Sequence, residues 1–285
     1  MPSICVVGSV NLDLVMIVDR VPEVGETVLG GDLERIPGGK GGNQAVAAVR
    51  SGGDVYMVGR VGEDEAGRVL RRSLEDAGVN TDRVLETPGC NSGTALIAVQ
   101  ADGDNAIVVS PGANARLSAQ DVRESAMVAN ADVVLAQAEV PREAVLTAAS
   151  TCGGLFVWNV APVPSWTADL LPFVDVLVVN EPELRAVMGS TTMPPTGEIA
   201  KWSAASGIAA VVVTLGSEGA LLVSEGEVAQ IPAPAVNVVD TTGAGDAFCG
   251  ALAVRLAAHR AIPTVADVQF AVAAGTAATQ VRGAR

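Results

Sequence analysis

DVLVVN, residues 175–180, decides the fold: four successive apolar side chains with no polar alternation, closed by an asparagine. A strand with water on one face alternates, whereas one this uniformly apolar is covered on both faces, as in a parallel sheet between helices. The same signature recurs in ICVVG (4–8), VYMVG (55–59), DVVLAQ (132–137), LFVWN (155–159) and AAVVVTLG (209–216). Helical patterns lie between these runs. In 64–77, DEAGRVLRRSLEDA, the residues Val69, Leu70, Leu74 and Ala77 recur at helical spacing. The stretch 141–149 opens with proline at a first helical position. Residues 245–258 and 265–280 are rich in alanine and suit close helix packing. Alternating strand and helix predict one α/β domain over 1–285, a doubly wound, mostly parallel sheet with helices on both faces.

Two segments break the rhythm. Residues 12–36 alternate and turn at Pro22 and Gly25, and residues 93–110 (GTALIAVQADGDNAIVVS) read as a hairpin with its turn at Ala101–Asp104. Both predict short antiparallel strands outside the main layer. Together they would form a small β lid that excludes water from a reactive phosphate; ordinary surface hairpins fit the same periodicity.

The chain has 285 residues, 49% hydrophobic, enough for a sizeable core, and carries a formal charge of −14. Its only lysines are Lys40 and Lys201. Such a surface repels phosphate backbones and anionic lipid, which argues against nucleic-acid and membrane-surface partners. Cys5, Cys90, Cys152 and Cys249 are far apart, form no CxxC, and share the chain with one histidine, so a structural zinc site is not expected. The start, MPSICVVGSV, enters a strand-like run directly, and no apolar stretch approaches a membrane span. Reduced cysteines and a cytoplasmic location are the expectation. His259 reads as a helix-end charge, and Trp158, Trp166 and Trp202 as core.

The chemistry-bearing constellations sit where such a sheet would present them. Asp240–Thr241–Thr242–Gly243–Ala244–Gly245–Asp246 leads into an alanine-rich helix. Small residues at a loop-to-helix junction let an anion approach backbone N–H groups and the positive end of the helix dipole. Asp246 is then either a helix-stabilising carboxylate or a base beside an anion hole; the residues alone leave both open. Gly38–Gly39–Lys40–Gly41–Gly42–Asn43 precedes another helix. It is no Walker loop, since Glu34 stands where the first glycine would be, and no GxGxxG follows the first strand. Asn11 and Asp13 follow the first strand two residues apart, so their side chains face the same way. Glu139, Asn159, Asn180 and Glu183 follow other strands, and Thr214–Leu215–Gly216–Ser217–Glu218–Gly219 follows the last. Polar residues at several parallel strand ends converge on one sheet edge, where open α/β sheets bind ligands.

These residues resemble the ribokinase-like (PfkB) family of carbohydrate kinases over essentially the whole chain. GGKGGNQAVAAVRSGG, followed by Gly62, is similar to its N-terminal signature, and DTTGAGDAFCGALA to its C-terminal one. Within the family, NLD at 11–13, GGKGGN at 38–43, the lid-like segment and AEVP at 138–141 most resemble the branch acting on D-ribose. The resemblance implies ATP-dependent phosphorylation of the sugar's primary hydroxyl. The alternatives are another sugar or a nucleoside (deoxyribose, fructose, adenosine), or a catalytically silent sugar-binding regulator. By the same resemblance, Asp246 is the base and the amides of Gly243, Ala244 and Gly245 stabilise the transferring phosphoryl. Asn11, Leu12, Asp13, Gly39, Lys40, Gly41, Gly42, Asn43 and Glu139 would surround the sugar. Asn180, Glu183, Thr214, Leu215, Gly216, Ser217, Glu218, Gly219 and Gly245 would line the ATP site, with Glu183 positioning Mg2+ through water. Asp240 and Thr242, with backbone at Ala278, Val281 and Gly283, would hold an activating K+. At RGAR the sequence departs from the family, whose members continue into a segment that adds a cation ligand. A homodimer joined through the lid strands is also implied.

Overall fold

A computed structural model describes residues 1–100 and 105–284, so the turn expected at 101–104 lies outside the described residues. The strands are β1 (Ser3–Val7), β2 (Asn11–Val18), β3 (Gly30–Gly38), β4 (Asp54–Gly62), β5 (Asn80–Thr87), β6 (Gly93–Gln100) and β7 (Asn105–Ser110). They continue with β8 (Val133–Ala136), β9 (Leu155–Asn159), β10 (Val176–Asn180), β11 (Ala210–Thr214), β12 (Ala220–Ser224) and β13 (Glu227–Ile231). The helices are α1 (Lys40–Arg50), α2 (Glu65–Asp76), α3 (Ala119–Arg123), α4 (Ala126–Asn130) and α5 (Arg142–Thr151). They continue with α6 (Thr167–Leu170), α7 (Glu181–Met188), α8 (Thr196–Ser206), α9 (Ala244–His259) and α10 (Val265–Ala278).

The nine-stranded sheet runs β13-β12-β11-β10-β9-β8-β1-β4-β5. It is parallel from β5 to β11 and closes with two antiparallel strands at the β13 edge. β5, β12 and β13 are additions to the sequence reading: β5 and β13 are edge strands with weak apolar patterns, whereas β12 is a short buried run, ALLV, that follows β11 closely. Successive residues of one strand feed opposite cores. Val176 and Val178 join the cluster that includes Ala45 of α1 and Leu252 of α9, while Leu177 and Val179 join the one that includes Val145 of α5 and Leu184 of α7. Burial on both faces is the reason these strands show no polar alternation.

β1 pairs with β4 on one side and β8 on the other, so the chain reverses its direction of winding there. That switch point opens a crevice at the carboxyl ends of β1 and β8. Above it stands the second sheet, ordered β3-β2-β6-β7. Its two hairpins, β2–β3 and β6–β7, are antiparallel and are joined by a parallel central pair, β2–β6. Leu33, Leu96, Ile107, Val108 and Val109 of this sheet are exposed. Pro141 stands immediately before α5 as its cap, one residue earlier than expected. All four cysteines are free, and among the described residues no helix is long and apolar enough to cross a membrane.

Candidate active site

Two helix starts lie side by side at the crevice. α1 begins at Lys40, and α9 begins at Ala244 after Gly243, whose φ of 75° is the left-handed conformation that glycine adopts without strain. The helices pack closely because Gly250 has no side chain: a Cβ there would lie 2.6 Å from the Gln44 carbonyl oxygen. This contact sets the first turns side by side. Asn43 Nδ2 donates to Asp246 Oδ2 at 3.0 Å, and Gln44 Nε2 donates to Asp246 Oδ1, also at 3.0 Å.

Around Asp246 lies a small polar cavity of about 160 Å³, lined among others by Lys40, Asn159, Asn180, Glu183, Thr214 and Cys249. A larger, mostly apolar cavity of about 560 Å³ adjoins it, walled by the 233–238 segment and by Phe248, Val272 and Thr276. Thr214 and Gly245 border both. A ligand with a flat apolar end and an anionic end would therefore lie across the α9 N-terminus, its charge beside Asp246.

Burial pushes the Asp246 carboxyl above the usual carboxylate range; Lys40 and the amides of Asn43 and Gln44 offset only part of this. Burial likewise raises Glu183, against the pull of the Asn180 N–H and Lys40. Burial would lower Lys40, but Asp246, Glu139 and Glu183 outweigh it and hold the ammonium above its ordinary value. One lysine thus serves three carboxylates, and the site is electronegative unless a cation enters with an anionic ligand.

The residues expected at a sugar gather on the lid side of this centre. Asn11 is buried at the start of β2 and accepts from Asn114 Nδ2 at 2.7 Å. Glu139 accepts from Ser9 Oγ at 2.5 Å and from the Lys40 N–H at 3.3 Å. Asp13 lies against Gly38, where a Cβ would collide with its carboxylate. Gly39 caps α1, Gly41 and Gly42 are buried in its first turn, and Gly42 N–H is taken by the Ser9 carbonyl at 2.9 Å. Leu12 packs its side chain on the apolar core and offers the site only backbone.

On the other side, Thr214, Gly216, Ser217 and Gly219 line the larger cavity. Leu215 packs into the core and Glu218 is exposed, so neither side chain joins that wall. Among the expected anion-hole amides, Ala244 N–H already donates to the Thr241 carbonyl at 3.2 Å. Gly243 and Gly245 donate to no backbone carbonyl among the described residues, which leaves them for an anion.

The segments expected to bind a monovalent cation do meet. Asp240 accepts from Thr242 N–H and from Gly283 N–H, each at 2.9 Å, and the Ala278 carbonyl accepts from Val281 N–H at 3.4 Å. Hydrogen bonds from Thr242 and Gly283, together with Arg282, hold the Asp240 carboxyl low despite partial burial. One carboxylate among main-chain oxygens suits a hard, weakly held ion. Glu183, the first-turn carboxylate of α7, whose capping box with Asn180 fixes it at the cavity wall, suits Mg2+ shared with phosphates and water. Among the described residues no cluster of three or more His, Cys, Asp or Glu forms a closed metal cage.

The sequence reading missed Ser9, Gln44, Asn114 and Gln137. Gln44 had a signal, since Lys40, Asn43 and Gln44 stand at i, i+3 and i+4 on one helical face. The others carry no such period; only the crossing of distant segments brings them in.

The sequence matches the family described as pfkB family carbohydrate kinase over residues 1–285. It is 38% identical to Ribokinase of Bacillus subtilis (strain 168) over 90% of this chain and 86% of that protein. The fold is similar to that of Ribokinase from Thermotoga maritima, with a TM-score of 0.90, 32% identity, and coverage of 100% of this chain and 95% of that one. It is similar also to Arabidopsis thaliana Ribokinase complexed with ribose and ATP, with a TM-score of 0.87 and 34% identity, covering 99% of this chain and 94% of that one. With both signature loops brought to one crevice and the match running from end to end, this chain belongs to the pfkB family of carbohydrate kinases.

Proposed function

We propose that this carbohydrate kinase transfers the γ-phosphoryl group of ATP to the primary hydroxyl of D-ribose, giving D-ribose 5-phosphate and ADP. The observation that carries the reading is Asp246: buried in the first turn of α9, beside the free amides of Gly243 and Gly245, and bonded to Asn43 of α1, the helix whose Lys40 N–H donates to Glu139 on the side where Asn11 and Asp13 lie. The similarity to ribokinases, one of them bound to ribose and ATP, favours ribose over other acceptors.

The sugar would sit between Asn11, Asp13, Gly39, Asn43 and Glu139, with its hydroxyl toward Asp246. A carboxylate cannot deprotonate an alcohol in the ground state; through a loose transition state the proton moves late, as the O–P bond forms, and Asp246 receives it. Gly243 and Gly245 donate to the charge on the transferring phosphoryl, and the larger cavity takes the base of ATP. Mg2+, held near Glu183 and Asn180, would neutralise phosphate charge. K+ at Asp240, Thr242 and the carbonyls of Ala278, Val281 and Gly283 would add positive charge behind the anion hole. The chain acts as a single kinase domain with its lid, in the cytoplasm, and as a homodimer through exposed apolar lid residues such as Leu96 and Val108.

An ADP-release assay over ribose, deoxyribose, fructose, adenosine and fructose 6-phosphate tests this, with and without K+. The highest kcat/KM for ribose is expected. A nucleoside or phosphosugar optimum would replace the ribose assignment, and binding without turnover would point to a regulator.

A further inference from the structure

We infer that Gln44 and Gln137 are positioning residues for the phosphoryl transfer: a buried pair of amides that sets the orientation of the Asp246 carboxylate. The inference rests on the reading of Asp246 as the base. Both glutamines are fully buried. Gln137, directly after β8, donates from Nε2 to Gln44 Oε1 at 2.6 Å. Gln44 spends its two amide hydrogens on Asp246 Oδ1 and Asn159 Oδ1, each at 3.0 Å. Asn159 in turn donates from Nδ2 to the Val178 carbonyl at 3.3 Å.

The polarity of this chain is forced at both ends. A backbone carbonyl cannot donate, so Asn159 must turn its oxygen toward Gln44. Rotating the Gln44 amide by half a turn would set its oxygen against the oxygens of Asp246 and Asn159, and its NH2 against that of Gln137. Gln44 therefore presents a donor to Asp246. With Asn43 on the other carboxylate oxygen, the plane of the base is fixed while one lone pair remains on each oxygen.

A second observation separates this pair from ordinary packing. Gln137 Oε1 is buried without a hydrogen-bond partner among the described residues. An unsatisfied buried acceptor costs stability that methionine, of nearly the same shape, would not. Methionine at 137 would remove this orphan but would also strip the buried Gln44 Oε1 of its donor, so the two nearly offset in stability; what glutamine adds is the orientation of the Gln44 amide. The charged and titratable groups facing Asp246 are Lys40 of α1, Glu139 after β8, Glu183 of α7 and Cys249 of α9. The amides add no charge to that set; they direct the carboxylate and favour its ionised form.

The experiment compares Gln137→Met, Gln44→Met, the double variant and Asp246→Asn in the full-length enzyme. Gln137→Met exchanges the unpaired Gln137 Oε1 for an unpaired Gln44 Oε1, so the melting temperature is expected to change little while kcat falls about tenfold, with KM for sugar and ATP within about twofold, an effect of the order of one lost buried hydrogen bond. The acidic limb of its kcat profile should move to higher pH. Because Gln137 acts through Gln44, the double variant should be no slower than Gln44→Met alone. An unchanged kcat and pH profile in Gln137→Met, or additive losses in the double variant, would overturn the inference. Should Gln137→Met not fold, the acidic limb of Gln44→Met decides in the same way. Near-normal turnover in Asp246→Asn would instead remove the base reading itself; an inactive Asp246→Asn with an unaffected Gln137→Met removes only the positioning role.

Discussion

Asn43 Nδ2 and Asp246 Oδ2 lie 3.0 Å apart although 203 positions separate them in the chain. The contact joins the first turns of α1 and α9, one following β3 and the other carrying Asp246, the proposed base. It ties the proposed sugar side of the crevice to the proposed phosphate side.

Asp246→Asn keeps the shape and the neighbouring amides but removes the proposed proton acceptor. The expected loss in kcat is roughly 10²–10⁴-fold, with KM for ATP little changed, measured by ADP release.

Lys40 is the cation among Asp246, Glu139 and Glu183. If Asp246 is the base it acts when ionised, and turnover should be lost as pH falls through its value, which burial places above the usual carboxylate range. Lys40→Met removes an opposing charge and should shift that acidic limb further upward and raise KM for ATP. A kcat/KM profile between pH 5 and 9 shows it; a limb that stays put would mean that Lys40 does not act on Asp246.

Gly250→Val places methyl groups where even a Cβ would be 2.6 Å from the Gln44 carbonyl oxygen and 2.7 Å from the Ala48 nitrogen. Neither backbone atom can yield without shifting α1. Overpacking of this kind costs about 1–3 kcal/mol, read from urea unfolding, and kcat should fall as Asn43 and Gln44 move off Asp246.

Asp267 caps α10 and gathers Arg255, His259 and Thr264, tying the far ends of α9 and α10 together. Burial opposes its charge, but Thr264, Arg255 and His259 outweigh that and lower its pKa. Its contribution is therefore present above the ordinary carboxylate value and lost as pH falls through the lowered one. Asp267→Asn should reduce stability by about 1–3 kcal/mol at neutral pH and flatten the acid side of the stability curve.

Val108 is exposed on β7 and pairs across the hairpin with Leu96, also exposed. Val108→Lys should give a monomer in sedimentation velocity with an unchanged melting profile, if these strands form the dimer contact. A wild-type monomer would reject the dimer.

Features that depend on neighbours in the chain were legible in the residues alone. Uniform apolar runs such as Val176–Val179 marked strands covered on both faces. Asp246 could be placed at a helix start, and Asn11 and Asp13 on one side of an extended segment, from small residues and period alone. Features that depend on distant segments meeting emerge only when the chain is folded. The parallel β2–β6 pair, the antiparallel edge strands, and the amide chain from Gln137 through Gln44 to Asp246 and Asn159 all join residues remote in sequence. A buried side-chain amide has no periodicity and no preferred sequence partner; its role is settled only by which donor and acceptor the packed sheet and helices set beside it.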